Sequence, residues 1–341
     1  MSSPERSIRE VKNMNKKNSK LKELLFKANW HYIVLIFLIL VIFVYMCLTS
    51  RSFLSKANLS VLVNNYIMEA IMALGMTFVI ISGGTDISIS GILPFTAIMF
   101  AFMMQHGVPV FLAMILGILL GGVIGLINNE LRRLLNIHPM VVTMATQLTL
   151  KGLDLAMTNG KVVSGFPEEF TKIVDFHPLG ISLPIWIYII LAIFYLLFSK
   201  NNRTFLDVFF VGGNKEASRL SGMNVEKILR FVFIANGLLA GLAGVLSTAV
   251  YNSASYSYGQ NIETRVIAIV AIGGTSMIHG GEGSIVGTML GTLFMALIYN
   301  AFIQSGVSTY YQDVFTGVML IVAVLLSEAL RTIKKKKMQN L

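Results

Sequence analysis

Charged residues are scarce in this sequence, and that scarcity decides the class of protein. Only 13% of the 341 residues are Asp, Glu, Lys or Arg, whereas 55% are hydrophobic and the mean hydropathy is +0.72. Soluble domains carry roughly 25% charged residues, so a soluble fold could not bury this many apolar side chains. Stretches of about 20 apolar residues, enough to cross about 30 Å of hydrocarbon, recur along the chain. The sequence therefore predicts an all-α, polytopic membrane protein.

Several kinds of site are missing from the sequence. Cys47 is the only cysteine, which excludes a disulfide framework and a cluster of thiolate metal ligands. The five histidines are scattered and none stands in an H-x-x-x-H arrangement, so no metal site is predicted. The basic residues behind the net charge of +10 lack the interleaved aromatics of a nucleic-acid groove, so no nucleic-acid partner is expected.

A phosphate-binding loop of the G-x-x-x-x-G-K-[ST] type is also missing. The single Gly-Lys pair, Gly160-Lys161, lacks the upstream glycine and the following hydroxyl residue. Those groups are the ones that hold the phosphates of a bound nucleotide. No cofactor is therefore predicted in this chain, and any ATP and Mg²⁺ would be bound by another polypeptide.

Apolar runs predict ten transmembrane helices. Their limits follow from run length and from the polar, Gly or Pro clusters that interrupt them. The helices are predicted near residues 31–49, 59–82, 92–105, 109–128, 138–157, 181–199, 230–251, 262–278, 284–303 and 312–330.

Loop charges orient these helices, because Lys and Arg in short loops resist translocation and mark the cytoplasmic side. The arm at residues 1–30, the loop at 200–230 and the tail at 331–341 are basic, whereas the loop at 252–261 has no Lys or Arg. The sequence therefore predicts a membrane domain over 31–330 with both termini in the cytoplasm. Eight spans are the alternative, if two Gly-rich segments turn back inside the membrane.

Two of the apolar runs end in the same short motif. Gly83-Gly84-Thr85 follows the run ending at Ser82, and Gly273-Gly274-Thr275 follows the run ending at Ile272. Paired Gly-interrupted segments are typical of internal repeats with broken helices beside a transport path. Gly is also the usual residue just past a helix end. The sequence leaves both interpretations open.

Short hydrogen-bonding side chains follow the first glycine pair. Asp86 and Ser88 alternate with apolar residues in the segment 83–91. Irregular backbone at membrane depth is permitted only where protein or water covers it. Asp86 could therefore contact a substrate, contact a partner subunit or cap a helix that begins near Ser88.

Polar side chains inside the predicted spans are functional candidates, because they are costly in hydrocarbon. Asn65 and Glu69 lie four residues apart and so on one helix face, and Asn300 lies in the ninth span. For Asn, hydrogen bonding between helices is the commoner role. Lys151 and Asp154, three residues apart, are expected to form a structural ion pair. Glycines at about four-residue spacing predict tight helix packing: Gly117, Gly121, Gly125, Gly237, Gly241 and Gly244.

The long basic loop contains the signals of a short helix. Asn214 is a suitable N-cap, residues 215–220 are polar and helix-compatible, and Gly222 can end the helix. An exposed, charged helix of this length builds no core, so one interpretation is a solvated connector. The cap, the two glycines and the small residues Ala217 and Ser218 favour the other interpretation, a docking helix for a cytoplasmic partner.

Three stretches carry a family resemblance: residues 83–91, residues 211–225 (VGGNKEASRLSGMNV) and residues 273–326. They resemble the ribose-type permeases of ATP-binding-cassette importers, a branch that includes xylose, arabinose, galactoside and autoinducer-2 permeases. The matching family patterns are G-G-I-D-L-S-V-G-S, G-G-N-x-x-A-A-x-L-S-G-I-N-V and G-G-T-S-x-x-G-G-x-G-x-x-x-G-T-x-x-G. The resemblance covers most of the chain after residue 60.

The resemblance implies a bacterial plasma-membrane permease for a sugar-like solute. Its partners would be a separate ATPase subunit, an extracytoplasmic sugar-binding protein and a second permease chain. The coupling helix that contacts the ATPase would comprise Gly213, Asn214, Glu216, Ala217, Ser218, Leu220 and Gly222. Candidates for the translocation path are Gly83, Gly84, Asp86, Ser88, Asn65, Glu69, Gly273, Gly274, Thr275 and Asn300.

A secondary transporter or channel is the main alternative, with Glu69 or Asp86 coupling transport to protons or cations. Such a protein would transport as a purified chain alone, and it would leave the capped helix in the loop at 200–230 unexplained. A membrane-embedded enzyme would need a convergent nucleophile and base or a set of metal ligands, and the sequence shows none.

Overall fold

The computed structural model describes residues 30–170 and 176–339, so the predicted basic arm lies outside it except for its last residue. The described residues form helices joined by turns, with one isolated backbone bridge between Val163 and Ala254. In chain order the α-helices are α1 (Trp30–Thr49), α2 (Lys56–Ile81), α3 (Ile89–Gln105), α4 (Val110–Leu135), α5 (Pro139–Thr158), α6 (Leu183–Asn201), α7 (Arg203–Gly213), α8 (Lys215–Leu220), α9 (Val225–Tyr251), α10 (Ile262–Ile272), α11 (Ile285–Gln304) and α12 (Thr309–Gln339).

The prediction of a helical, polytopic membrane protein is confirmed. Within the described residues, seven helices have both the length and the apolar composition to cross a membrane: α1, α2, α4, α6, α9, α11 and the Tyr310–Ala329 part of α12. The other three predicted spans also carry helices. Of these, α3 and α10 have only 17 and 11 residues, and α5 is less apolar than the seven.

The helix α10 is shorter than the span predicted at 262–278. At 1.5 Å per residue its 11 residues extend only about 16 Å, roughly half of the hydrocarbon layer. The turn before it, Tyr256–Gly259, packs against α3, where a Cβ added to Gly259 would lie 2.9 Å from Pro94 Cδ. The chain therefore comes back along α3 before α10 begins. A full-length span here was wrong, because apolar content alone does not reveal where a helix stops.

The helices α2 and α10 end in the same hydrogen-bonded cap. Gly84 N donates to Val79 O at 3.0 Å and Gly83 N to Ile80 O at 2.9 Å. Thr275 N donates to Val270 O at 3.2 Å and Gly274 N to Ala271 O at 2.9 Å. Gly83 and Gly274 have φ of +78° and +89°, as the left-handed position of this cap requires. The two glycine motifs are thus helix C-caps with equivalent bonding.

The helix α2 forms the centre of the molecule and is buried along most of its length, whereas α1 and α12 expose long apolar faces. Such faces are expected to contact lipid or another membrane chain. Two further helical segments differ from the prediction. The helix α7 lies in a loop where only the 215–220 helix was predicted, and α12 continues through most of the predicted tail at 331–341.

A close crossing of α4 and α9 confirms the predicted glycine packing. A Cβ added to Gly237 would overlap the carbonyl oxygen of Gly121 and lie 3.2 Å from the Cα of Gly125. A Cβ added to Gly241 would lie 2.9 Å from the carbonyl oxygen of Ile118. Because the neighbouring atoms belong to backbone, they cannot move aside without shifting a helix.

Gly237→Ala should therefore destabilise the protein, whereas Gly152→Ala should not. The added methyl at residue 237 forces α4 and α9 apart, at a cost of about 1–3 kcal/mol. Gly152 lies within α5 with no atom inside 4 Å of an added Cβ, so alanine there should stabilise the helix by about 0.5–1 kcal/mol. Thermal unfolding in detergent measures both changes. Equal shifts in Tm for the two variants would contradict the crossing described here.

Candidate functional site

The helix predicted in the long loop is present as α8. Asn214 Oδ1 accepts a hydrogen bond from Ala217 N at 2.9 Å and caps its start, and Gly222, with φ of +81°, follows its end. Ser218 is buried, whereas Leu220 is 82% exposed. The Glu216 side chain is 74% exposed, and Gly213, Asn214 and Ala217 are also exposed. The helix thus displays an apolar side chain and an acidic one on an open surface.

Ion pairs fasten this helix to two long helices. Arg219 of α8 and Arg132 of α4 both donate to the carboxylate of Glu226, which lies in the first turn of α9. The Arg219–Glu226 distance is 3.5 Å. A second carboxylate, Glu130, accepts from Arg133 and Arg230 at 2.7 Å each. These charges connect the ends of α4 and α9, and the Arg219–Glu226 pair adds one exposed contact between α8 and the start of α9.

Lys215, the first residue of α8, lies beside the end of α2. A Cβ added to Gly83 would be 4.0 Å from Lys215 Cε. Lys215 is exposed overall, but neighbouring groups partly desolvate its ammonium, and this desolvation, followed by the charge of Arg132, lowers the pKa of the ammonium below its ordinary value. The glycine that ends α2 therefore adjoins the base of α8.

Three chain segments meet through backbone contacts just before α8, and we call this place the glycine junction. It consists of Ile81 at the end of α2, Gly212 and Gly213 at the end of α7, and Gly280 and Gly281 in the loop before α11. Gly281 N donates to Ile81 O at 2.7 Å. A Cβ on Gly212 would overlap Ile81 O and lie 2.7 Å from Gly281 N. Only glycine at residue 212 allows this approach.

Asp86 and Ser88 lie in a fully buried hydrogen-bond network. Asp86 Oδ1 accepts from Ser88 N at 3.0 Å and from Ser88 Oγ at 2.5 Å, and Oδ2 accepts from Asn236 Nδ2 at 2.9 Å. Asn128 Nδ2 donates to Ser88 Oγ at 2.8 Å, and Asn128 Oδ1 accepts from Thr146 at 2.6 Å. Both Asp86 oxygens are thus satisfied by protein, and the network connects the turn before α3 to α4, α5 and α9.

Glu69 makes an ion pair that was not predicted. Arg265 Nε, in the first turn of α10, donates to Glu69 Oε1 at 2.6 Å. Glu69 is only 3% exposed, and Asn65, one turn earlier in α2, is partly exposed. Sequence reasoning missed Arg265, although a charged residue inside a predicted span was itself the signal. The structure brings Glu69 together with a cation rather than with the other candidate residues of the path.

The remaining candidates lie in separate places. Asn300 is fully buried in an amide cluster, in which it exchanges hydrogen bonds of 2.9 and 3.1 Å with Asn58. Gly273 packs against Gly287, and Thr275 is buried. Gly84 is partly exposed beside Gly83, and Gly274 adjoins the ring of His31.

The predicted ion pair between Lys151 and Asp154 is wrong. Asp154 is fully buried and its two carboxylate oxygens accept no hydrogen bond from the described residues. Three-residue spacing puts two side chains near one face of a helix. In α5, however, Asp154 faces the protein interior, whereas Lys151 remains partly exposed.

Comparisons with known proteins agree on one family. The family model described as "Branched-chain amino acid transport system / permease component" matches residues 58–324. The ribose import permease protein RbsC of Haemophilus influenzae is 34% identical over 89% of this chain and 94% of its own length. The D-allose transport system permease protein AlsC of Escherichia coli is 33% identical, over 85% and 89%.

The autoinducer 2 import system permease protein LsrD of an Enterobacter strain is 30% identical, over 88% of this chain and 93% of its own length. No solved structure matches the chain. The family match, the large share of the chain over which these relatives match and the apolar helices lead to one conclusion. The chain belongs to the ribose-type family of permease subunits of ATP-binding-cassette importers, multi-pass proteins of the bacterial inner membrane whose ATP is hydrolysed by a separate subunit.

Proposed function

We propose that this chain carries a sugar or a sugar-like polyol inward across the bacterial inner membrane. The observation that supports this best is the extent of the match to permeases named for ribose, allose and autoinducer 2, which covers 85–89% of the chain. All three names denote small polyhydroxylated solutes. The chain acts with an ATPase subunit, an extracytoplasmic sugar-binding protein and a second permease chain.

The proposed topology has ten spans and two cytoplasmic termini. It counts α3, α5 and α10 as spans, with α10 crossing only the cytoplasmic half after the chain descends along α3. The clustered arginines at the ends of α4, α8 and α9 are then cytoplasmic, as the positive-inside rule requires. On this topology the membrane domain covers residues 31–330 and the basic arm and tail lie in the cytoplasm.

We assign the ATPase contact to α8 and its flanking residues. An 82% exposed Leu220 beside an exposed Glu216 provides an apolar anchor and a charge on a rigid, capped helix. Anchors of this kind fit a groove of a partner protein. Since the glycine junction directly precedes α8, movement of α8 is passed to the ends of α2 and of the loop before α11. These are the segments that contain Gly83, Gly84 and Gly273 to Thr275.

Reconstitution tests the proposed function. The permease is placed in proteoliposomes with the proposed ATPase and binding-protein partners, and uptake of radiolabelled D-ribose, D-allose and other pentoses and hexoses is measured. We expect ATP-dependent uptake of at least one sugar, and no uptake by liposomes that contain the permease alone. Sugar uptake by the permease alone, driven by a proton or cation gradient, would identify a secondary transporter instead.

Charge reversal at Glu216 should weaken docking of the ATPase. Glu216→Arg changes an exposed side chain whose partner within the described residues is Arg219 at 3.8 Å, so the permease itself should fold normally. We expect co-purification of the ATPase to fall by about tenfold or more, as for the loss of a charged interface contact. Lys200→Glu, an exposed charge reversal at the end of α6, is the matched control and should retain docking. Equal docking by both variants would exclude α8 as the contact.

A further inference from the structure

The ion pair between Glu69 and Arg265 is open on one side. The Arg265 side chain is 23% exposed, although it lies against the centre of α2. Its Nε donates to Glu69 Oε1 and its Nη1 donates to Gln260 O at 3.3 Å. The described residues provide no acceptor for Nη2. The arrangement therefore leaves part of the guanidinium exposed and without a hydrogen-bond acceptor from the described residues.

A partly exposed guanidinium in the middle of a membrane protein has few suitable surroundings. A cation facing hydrocarbon is costly, so charged groups within spans face water, other protein or a transported solute. The pair also contains an unsatisfied acceptor, because Glu69 Oε2 is buried and accepts no hydrogen bond from the described residues. A group that serves packing alone would be expected to have its polar atoms satisfied.

The other polar clusters of the membrane region provide the contrast. Both carboxylate oxygens of Asp86 are paired with protein donors. The Asn58 and Asn300 amides pair with each other, and Asn300 is fully buried. These two clusters bind helices together and contain no cation, although Asn236 Oδ1, beside Asp86, is buried and accepts no hydrogen bond from the described residues. The Glu69–Arg265 pair differs because its unsatisfied acceptor lies beside a partly exposed guanidinium.

Three tyrosines lie close enough to the pair to interact with its charges, and among them Tyr251 is exposed whereas Tyr66 and Tyr299 are buried. Tyr251 is 42% exposed and its ring centroid lies 4.8 Å from that of Tyr258. Tyr66 stacks on Tyr299 at 5.5 Å with an interplanar angle of 7°. The charges of Glu69 and Arg265 act electrostatically on the hydroxyls of Tyr66, Tyr251 and Tyr299, so these side chains form one neighbourhood.

We propose that Arg265 and Tyr251 contact the transported solute, with Glu69 as the positioning residue for the arginine. This assignment rests on the proposed function, and it places a solute-contact subsite in the wall of the translocation path. A sugar offers hydroxyl groups that form hydrogen bonds with a guanidinium and with the Tyr251 hydroxyl, and C–H faces that pack on the ring of that tyrosine. An apolar surface with a few oriented polar groups is the usual form of a small-molecule site.

Three variants in the complete transporter test the subsite. They are Arg265→Gln, Glu69→Gln and Tyr251→Phe, with Tyr310→Phe as the matched control because Tyr310 is 83% exposed on α12. Initial uptake of the sugar that the wild type takes up fastest is measured against its concentration. ATP hydrolysis stimulated by the loaded binding protein is measured in the same proteoliposomes.

We expect Arg265→Gln to lower Vmax/KM by about tenfold or more, and Tyr251→Phe by about fivefold, the sizes of one charged and one neutral hydrogen bond. Glu69→Gln should act in the same direction as Arg265→Gln. Stimulated ATP hydrolysis should stay within about twofold of the wild type, since α8 is unchanged; a structural loss would lower uptake and hydrolysis together. Tyr310→Phe should match the wild type.

Failure of the inference differs from failure of the proposed function. If the wild-type complex shows no ATP-dependent sugar uptake, the proposed function is wrong. If the wild type transports and Arg265→Gln and Tyr251→Phe transport equally well, the subsite is wrong. The subsite is also overturned if Arg265→Gln loses uptake, hydrolysis and folded protein in proportion while Tyr251→Phe is unaffected, because the arginine then serves packing alone.

Discussion

The rest of this structure depends on how backbone carbonyls are satisfied where helices end against other segments of the chain. A buried carbonyl that accepts no hydrogen bond costs a few kcal/mol. At the end of α2, the carbonyl of Ile81 is met by Gly281 N from a loop far along the chain. Gly212 makes room for that contact because any Cβ at this position would overlap the Ile81 carbonyl oxygen. The need of the Ile81 carbonyl for a hydrogen-bond donor thus brings three segments of the chain into contact.

On the proposed function, that junction provides a direct route from the ATPase to the translocation path. The helix α8 begins two residues after Gly213 and contacts α9 through the Arg219–Glu226 ion pair, and Arg132 of α4 binds the same carboxylate. On the other side of the junction lie the capped ends of α2 and α10, which close with the same hydrogen bonds. The order is therefore α8, then the glycine junction, then the ends of α2 and α10, and no flexible linker separates these described elements. This continuity is why we assign coupling to the junction rather than to a side-chain pathway.

Local signals were sufficient for part of this structure. Asn214 and Gly222 stand at fixed offsets from a short helix, so its cap and end were readable from the sequence alone. Helix packing at Gly121 and Gly237 followed from four-residue spacing. The contact of Gly212 with Ile81 and Gly281 could not be predicted, because it joins distant parts of the chain and no periodic pattern in the sequence reflects it. Lys151 and Asp154 show the same limit, since spacing places residues on a helix face but does not say which side faces the core.

The measurement closest to the central claim is the ratio of sugar taken up to ATP hydrolysed for Gly212→Ala beside Gly152→Ala. A Cβ on Gly152, within α5 and outside the junction, meets no atom within 4 Å, whereas one on Gly212 displaces the end of α2. Coupling through the junction predicts that the folded Gly212→Ala complex still binds its ATPase and hydrolyses ATP but takes up little sugar. The Gly152→Ala complex should behave as the wild type. Equal uptake per ATP in the two variants would contradict coupling through the glycine junction.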